Sequence, residues 1–204
     1  MNRVYTTALV LISAILISIA IAITASRAED QKAGKDDNAN VCEGLYALCT
    51  SAPCVPDPEN KDSKAICSCE VNTGVNFGYT SCDSRKPKTT EYGVTAVIST
   101  YSFAQGPSKP MLSCPKGKPW TDCLDKPCTV NPLNPLNAYC KCDIVRDEAF
   151  VTYGGDCNML TCDNAYWSGA TVESYVEAST ILSEKMGIQD FPVVYCPGMK
   201  PKTD

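Results

Sequence analysis

The residues with the greatest chemical potential in this 204-residue sequence are its 14 cysteines. Cys67/Cys69 and Cys140/Cys142 are spaced Cys-x-Cys, and Cys49/Cys54, Cys123/Cys128 and Cys157/Cys162 are spaced Cys-x4-Cys. Cys42, Cys82, Cys114 and Cys196 complete the set. The Cys-x-x-Cys spacing of thioredoxin-type oxidoreductases, in which a low-pKa thiolate is resolved by its neighbour, does not occur. A disulfide closed within Cys-x-Cys would be strained and oxidising. The competing arrangement sends the two cysteines of each pair to different strands, one from each face. It is the expected one, because both pairs sit inside full cysteine frameworks. Soft-metal binding calls for clustered Cys and Met, but the 5 methionines are scattered and thiolates compete with oxidation, so no metal site is expected.

Histidine is absent. That removes Ser-His-Asp and Cys-His catalysis, histidine acid/base chemistry and His-containing zinc sites. No Gly-rich phosphate loop and no Gly-x-Ser-x-Gly elbow is present. No catalytic residue and no cofactor is therefore assigned, although chemistry carried by Asp and Glu alone stays open. Trp120, Tyr166 and Trp167 are candidates for stacking on sugar rings or on a partner surface; the competing role is packing against disulfides. Pro56-Asp57-Pro58 and Asn131-Pro132-Leu133-Asn134-Pro135 are candidate stiff loops of the kind a hydrolase inhibitor presents, and also ordinary turn sequences.

The start of the chain points to export. A short basic Met1-Asn2-Arg3 precedes an uncharged run from Val4 to Ala25, and Ser26 and Ala28 are small residues placed for cleavage. Residues 1–28 read as a secretory signal peptide, or as an uncleaved anchor touching the membrane through residues 4–25, since the run is nearer the length of a span (about 20) than of an h-region (about 7–15). The even cysteine number at this density fits an oxidising compartment. The net charge of −5 becomes more negative once Arg3 and Arg27 are removed, a poor footprint for nucleic acid. No Asn-x-Ser/Thr occurs, which leans towards a bacterial envelope. The expected location is extracytoplasmic, periplasmic or secreted, and the expected partner a protein or a glycan.

The elements that must hold the cysteines repeat loosely. Residues 29–41 read as a flexible polar linker, 42–104 as a first cysteine-rich unit, 105–113 as a connector, and 114–204 as a second unit with a C-terminal extension. Cys49-Thr-Ser-Ala-Pro53-Cys54 matches Cys123-Leu-Asp-Lys-Pro127-Cys128; Ala65-Ile-Cys67-Ser-Cys69 matches Ala138-Tyr-Cys140-Lys-Cys142; Tyr46 matches Trp120 and Cys42 matches Cys114. Downstream, Cys82 and Cys157 lie in Gly/Tyr-rich surroundings (Phe77-Gly78-Tyr79 and Tyr153-Gly154-Gly155), and a Gly-x-Thr follows in both, at Gly93 and Gly169. Cys82 has two possible counterparts, Cys157 and Cys162. The fold class expected is a small, disulfide-rich, mainly β protein with irregular loops, two tandem related units and one C-terminal helix. Val94 to Phe103 is strand-like, and residues 171–186 carry a helical stripe ending at Gly187, although Thr171–Val176 also has strand character.

The order C-x6-C-x4-C-x12-C-x-C-x12-C from Cys42 to Cys82, and its looser copy from Cys114 to Cys157, resembles that of EGF-like modules. The resemblance rests on spacing and implies Cys42–Cys54, Cys49–Cys67, Cys69–Cys82, Cys114–Cys128, Cys123–Cys140 and Cys142–Cys157. That is one of about 15 pairings open to each set of six cysteines. Cys162 and Cys196 are then left to pair with each other.

Overall fold

The strands are set by period-two runs in which small buried residues alternate with exposed ones. In Lys64–Gly78, Ala65, Cys67 and Cys69 point inward while their neighbours are half-buried or exposed. In Asn137–Val145, Ala138, Cys140 and Cys142 do the same. The computed structural model describes residues 39–104, 109–164, 166–189 and 193–200. The segment 1–28 and most of the 29–41 linker lie outside them, as do 105–108 of the connector.

In chain order the elements are β1 (Asn40–Leu48), β2 (Pro53–Pro56), β3 (Lys64–Gly78), β4 (Lys88–Thr89), β5 (Thr95–Thr100), β6 (Leu112–Cys114), β7 (Trp120–Asp122), β8 (Pro127–Val130), β9 (Asn137–Val145), β10 (Phe150–Thr152), α1 (Thr161–Asn164), β11 (Tyr166–Thr171) and α2 (Val172–Met186). The protein is thus mainly β with a C-terminal helix. Two expected boundaries shift. Asn40 and Val41, read as the end of the linker, begin β1, and Leu112 and Ser113, read as connector, belong to β6. Both stretches find antiparallel partners, Asn40 opposite Gly78 and Leu112 opposite Thr152.

The pairings close two rings that share one seam. In the first, β3 pairs β1, β1 pairs β5, β5 pairs β8, β8 pairs β9, and β9 returns to β3. In the second, β9 pairs β7, β7 pairs β11, β11 pairs β2, β2 pairs β3, and β3 returns to β9. Exchanging β1, β2, β3 and β5 with β7, β8, β9 and β11 carries one ring onto the other, including the single parallel pairing in each, β1–β5 and β7–β11. Each ring borrows a strand across the sequence: β8 completes the first and β2 the second. Ring closure removes the exposed edges that an open sheet would present.

The disulfides follow the same exchange. Cys42–Cys82, Cys49–Cys69 and Cys54–Cys67 correspond to Cys114–Cys162, Cys123–Cys142 and Cys128–Cys140, and Cys157–Cys196 ties the C-terminal segment. None of the six EGF-type pairs forms, and Cys162 does not pair with Cys196. The cause is strand register. Cys54 lies directly opposite Cys67 and Cys128 opposite Cys140, so each inner pair closes across one hairpin rather than to a more distant cysteine. Cys162, not Cys157, is the counterpart of Cys82. The two cysteines of each Cys-x-Cys pair do reach different segments, Cys67 and Cys140 to strands β2 and β8, and Cys69 and Cys142 to Cys49 and Cys123 just past the ends of β1 and β7. They do not do so from opposite faces: residues two apart on a strand share a face, and both pairs point into the core. Gly93 and Gly169 are not counterparts either; Gly93 sits in the turn before β5, while Gly169 pairs with Asp122 inside β11.

Four of the disulfides, with Ala47, Ala52, Val97, Val130 and Ala138, form the core around the β3–β9 seam. Sulfur there fills space that a larger protein gives to leucine and phenylalanine. The C-terminal helix is stopped where the sequence predicts. Thr171 caps it by accepting a hydrogen bond from the Ser174 N–H at 3.1 Å, and Gly187 takes the left-handed conformation (φ 66°) that ends it. Ala178 and Leu182 of α2 are buried in the cluster that contains Phe77.

Candidate ligand cleft

The three aromatic candidates separate. Trp120 is not available to a ligand: it is 1 % exposed and stacks on Phe150 with centroids 5.4 Å apart. It occupies the inward-facing place on β7 that Tyr46 takes on β1, next to Cys114–Cys162. Tyr166 and Trp167 are both half-buried on β11, opposite Cys54 and Pro53 of β2. Neighbours on a strand point to opposite faces, and it is Trp167 that lines a cleft of about 340 Å³.

Besides Trp167 and Lys109, three stretches line this cleft. The stretch from the end of β1 to the start of β2 supplies Leu48, Ser51, Ala52 and Pro53, and β3 supplies Ser68 and Glu70. The segment after β10 supplies Tyr153, Gly154, Gly155 and Asp156. Lys109 closes one side, donating to Ser51 Oγ at 2.9 Å and lying 3.9 Å from Glu70. Gly154 is required by contact: a Cβ there would fall 2.2 Å from Trp167 Cε3, so the indole lies against the glycine backbone. Gly155, Asp156 and Cys157 are all left-handed (φ 85°, 47° and 62°), and Cys157–Cys196 staples the end of that segment. Left-handed backbone at two consecutive non-glycine residues is costly and persists where surrounding structure holds it.

The rest of the cysteine chemistry is closed. Among the described residues no cysteine is free. The Sγ atoms of Cys49, Cys69 and Cys140, and those of Cys67, Cys123 and Cys142, lie within 4.8 Å of one another, as metal ligands would. Every one of them is committed to a disulfide, so neither cluster holds a thiolate. Cys49 Sγ and Cys140 Sγ, 3.5 Å apart, carry no proton and form a contact between two stacked disulfides. Thr121, fully buried, donates its hydroxyl towards Cys54 Sγ at 3.0 Å.

The two proline loops also differ. Asp57 of Pro56-Asp57-Pro58 points inward, accepts from the Glu59 and Asn60 nitrogens and pairs with Lys141 at 2.7 Å. Lys141 holds its carboxyl below the usual carboxylate range. The Asn131–Asn137 loop makes two successive turns, closed by Asn134 N–H to Asn131 O and Asn137 N–H to Asn134 O. The Asn131 and Asn134 side chains cap these turns, and Leu133 and Leu136 are left 94 % and 71 % exposed. A separate, apolar cavity of about 40 Å³ under α2 is lined by residues including Tyr101, Met111, Val151 and Tyr175.

Sequence reading singled out Trp167 but not Glu70, Lys109, Ser51, Ser68 or Asp156, which line the same cleft. They come from stretches up to about a hundred residues apart; Ser51 and Ser68 lie inside the matching cysteine segments as spacers, and Glu70, Lys109 and Asp156 lie outside them. Among the described residues no helix is long and apolar enough to cross a membrane. Compared with known proteins, the chain matches no family, no curated protein and no solved structure.

Proposed function

We propose that the chain is an exported, non-enzymatic binding protein of the periplasm or the extracellular space, with a protein or glycan partner met at a rigid surface. The observation that carries this is the commitment of every described cysteine to a disulfide, most of them buried, on a framework of paired strands. Such a framework is made and kept in oxidising compartments, and the signal-like residues 1–28 agree with it. The cleft at Trp167 offers the polar and aromatic mixture of a binding site. The absence of histidine supports binding over catalysis. Fractionation and intact mass of the native protein test export: a mature chain beginning near residue 29, fourteen hydrogens lighter than the reduced form, is expected. A cytoplasmic, reduced chain would overturn the reading. In-situ crosslinking of the exported protein should then capture a specific partner.

A second reading, a secreted effector or hydrolase inhibitor, is favoured by one feature, the stiff Asn131–Asn137 loop with its two exposed leucines. Preorganised apolar side chains bind at low entropic cost. Stoichiometric inhibition of a protease or glycosidase, abolished by Leu133→Asp, would support it over the first reading.

A further inference from the structure

The two rings carry the same pairings but treat one position differently. Lys126 lies between Cys123 and Cys128 where Ala52 lies between Cys49 and Cys54. Lys126 reaches Asp143 at 2.6 Å, and Lys64 binds the same carboxylate. Glu70 follows Cys69 on β3 as Asp143 follows Cys142 on β9. It meets no lysine from the β1–β2 loop, because Ala52 has none to offer. Likewise Trp167 stands opposite Pro53 where Ile98 stands opposite Pro127. A place that Lys126 enters from the β7–β8 loop in one ring is therefore a Trp-lined cleft of about 340 Å³ in the other, where the lysine beside Glu70 is Lys109, from the segment before β6.

We propose that this cleft binds carbohydrate, taking a neutral or amino hexose unit against Trp167. This deepens the binding function above and rests on it. A hexose presents a C–H face that packs on an indole and a rim of hydroxyls that both donate and accept. The cleft matches that rim: Glu70 and Asp156 accept, Lys109 donates, and the Ser51 and Ser68 hydroxyls do either. Two carboxylates against one lysine leave the cleft net negative, which disfavours uronic acids and phosphorylated sugars. The volume lies at the lower end of small-molecule sites, about 300–1,000 Å³, as suits one or two sugar units.

The test uses the oxidised, exported chain and a panel of soluble oligosaccharides of glucose, galactose, mannose, glucosamine and N-acetylglucosamine, followed by tryptophan emission and calorimetry. At least one sugar is expected to bind saturably. Trp167→Ala and Glu70→Gln should each weaken it, the first by about tenfold or more, equivalent to about 1.4 kcal/mol. Ala52→Lys, which copies Lys126, should abolish it. Disulfide content by mass and the near-ultraviolet signal of Trp120 report that each variant is folded. If no sugar saturates, or if folded Glu70→Gln and Ala52→Lys bind as wild type does, the proposal fails. It also fails if free amino acids or short peptides saturate the site in its place. A protein partner still captured by the Ala52→Lys variant would keep the broader binding function while removing carbohydrate from this cleft.

Discussion

Cys67 and Cys140 are direct antiparallel partners across the β3–β9 seam, yet neither is bonded to the other. Each turns away from the seam, Cys67 to Cys54 on β2 and Cys140 to Cys128 on β8. The row Cys54–Cys67–Cys140–Cys128 therefore crosses four strands with two disulfides side by side. Small residues at the seam make this possible, since Ala65 faces Cys142 and Cys69 faces Ala138 in the neighbouring rows.

Disulfide mapping of the oxidised protein should recover Cys54–Cys67 and Cys128–Cys140 as hairpin links, with Cys49–Cys69 and Cys123–Cys142 beside them. Cys67 and Cys69 are two residues apart and Cys49 and Cys54 five apart, with no Lys, Arg, Asp or Glu between either pair, so digestion leaves both links in one two-chain fragment; partial reduction with stepwise alkylation separates them. Recovery of Cys49–Cys67 or Cys69–Cys82 would contradict the strand register described above.

Cys42–Cys82 and Cys114–Cys162 close loops of similar span, 40 and 48 residues, so restriction of the unfolded chain is nearly equal for the two. Their surroundings differ. Cys82 is exposed, whereas Cys114 and Cys162 are 3 % and 1 % exposed beside Trp120 and Phe150. Replacing both cysteines by alanine should therefore cost more at Cys114/Cys162 than at Cys42/Cys82, by about 1–2 kcal/mol of lost packing. Denaturant unfolding of the two double variants measures the difference, and equal costs would mean that the Trp120 cluster relaxes around the cavity.

Acid should weaken one half of the molecule through Asp143. Burial by itself would raise that carboxyl, but hydrogen bonds from Lys126 and Lys64 and their charges outweigh it and hold it below the ordinary aspartate value. A carboxyl lowered on folding stabilises the protein above its unfolded pKa, about 3.9, and that contribution is lost as pH falls through the folded value. Asp143→Asn should therefore lower Tm at pH 7, and the gap should close as pH falls through the folded value, below which the wild-type carboxyl is itself protonated. A Tm gap that persists at low pH would assign the loss to packing instead of charge.

The α2 helix was legible because its signals are local: a stripe at helical spacing, Thr171 at one end and Gly187 at the other. So was the strand at Thr95–Thr100, rich in β-branched residues. The matching cysteine segments were legible as well, since Cys49–Cys54 and Cys123–Cys128 carry equal spacing and the same proline. Connectivity was not. It depends on which strands lie opposite each other, and Cys67 has cysteine neighbours on both sides, Cys54 and Cys140. The exchange of β2 and β8 between rings leaves no sign in a chain read in order. Glu70 and Lys109 gain meaning only when β3 and the segment before β6 are brought together, which no spacing in the sequence encodes.

Gly154 offers a direct probe of the cleft wall. Its neighbour is the six-membered ring of Trp167, whose Cε3, Cδ2 and Cζ3 atoms lie 2.2–2.8 Å from where a Cβ would stand. A contact that close forces the indole or the strand to move, because neither ring nor backbone can yield by a rotamer change alone. Gly154→Ala should destabilise the protein by about 1–3 kcal/mol, the usual cost of overpacking. It should also redshift the emission of the Trp120→Phe background, in which Trp167 is the sole tryptophan. Gly93→Ala is the control for a glycine with positive φ but no crowded neighbour. It should lose stability through backbone conformation and leave Trp167 emission in place. Unchanged emission in Gly154→Ala would mean that the ring does not rest on this glycine, and the cleft wall would have to be redrawn.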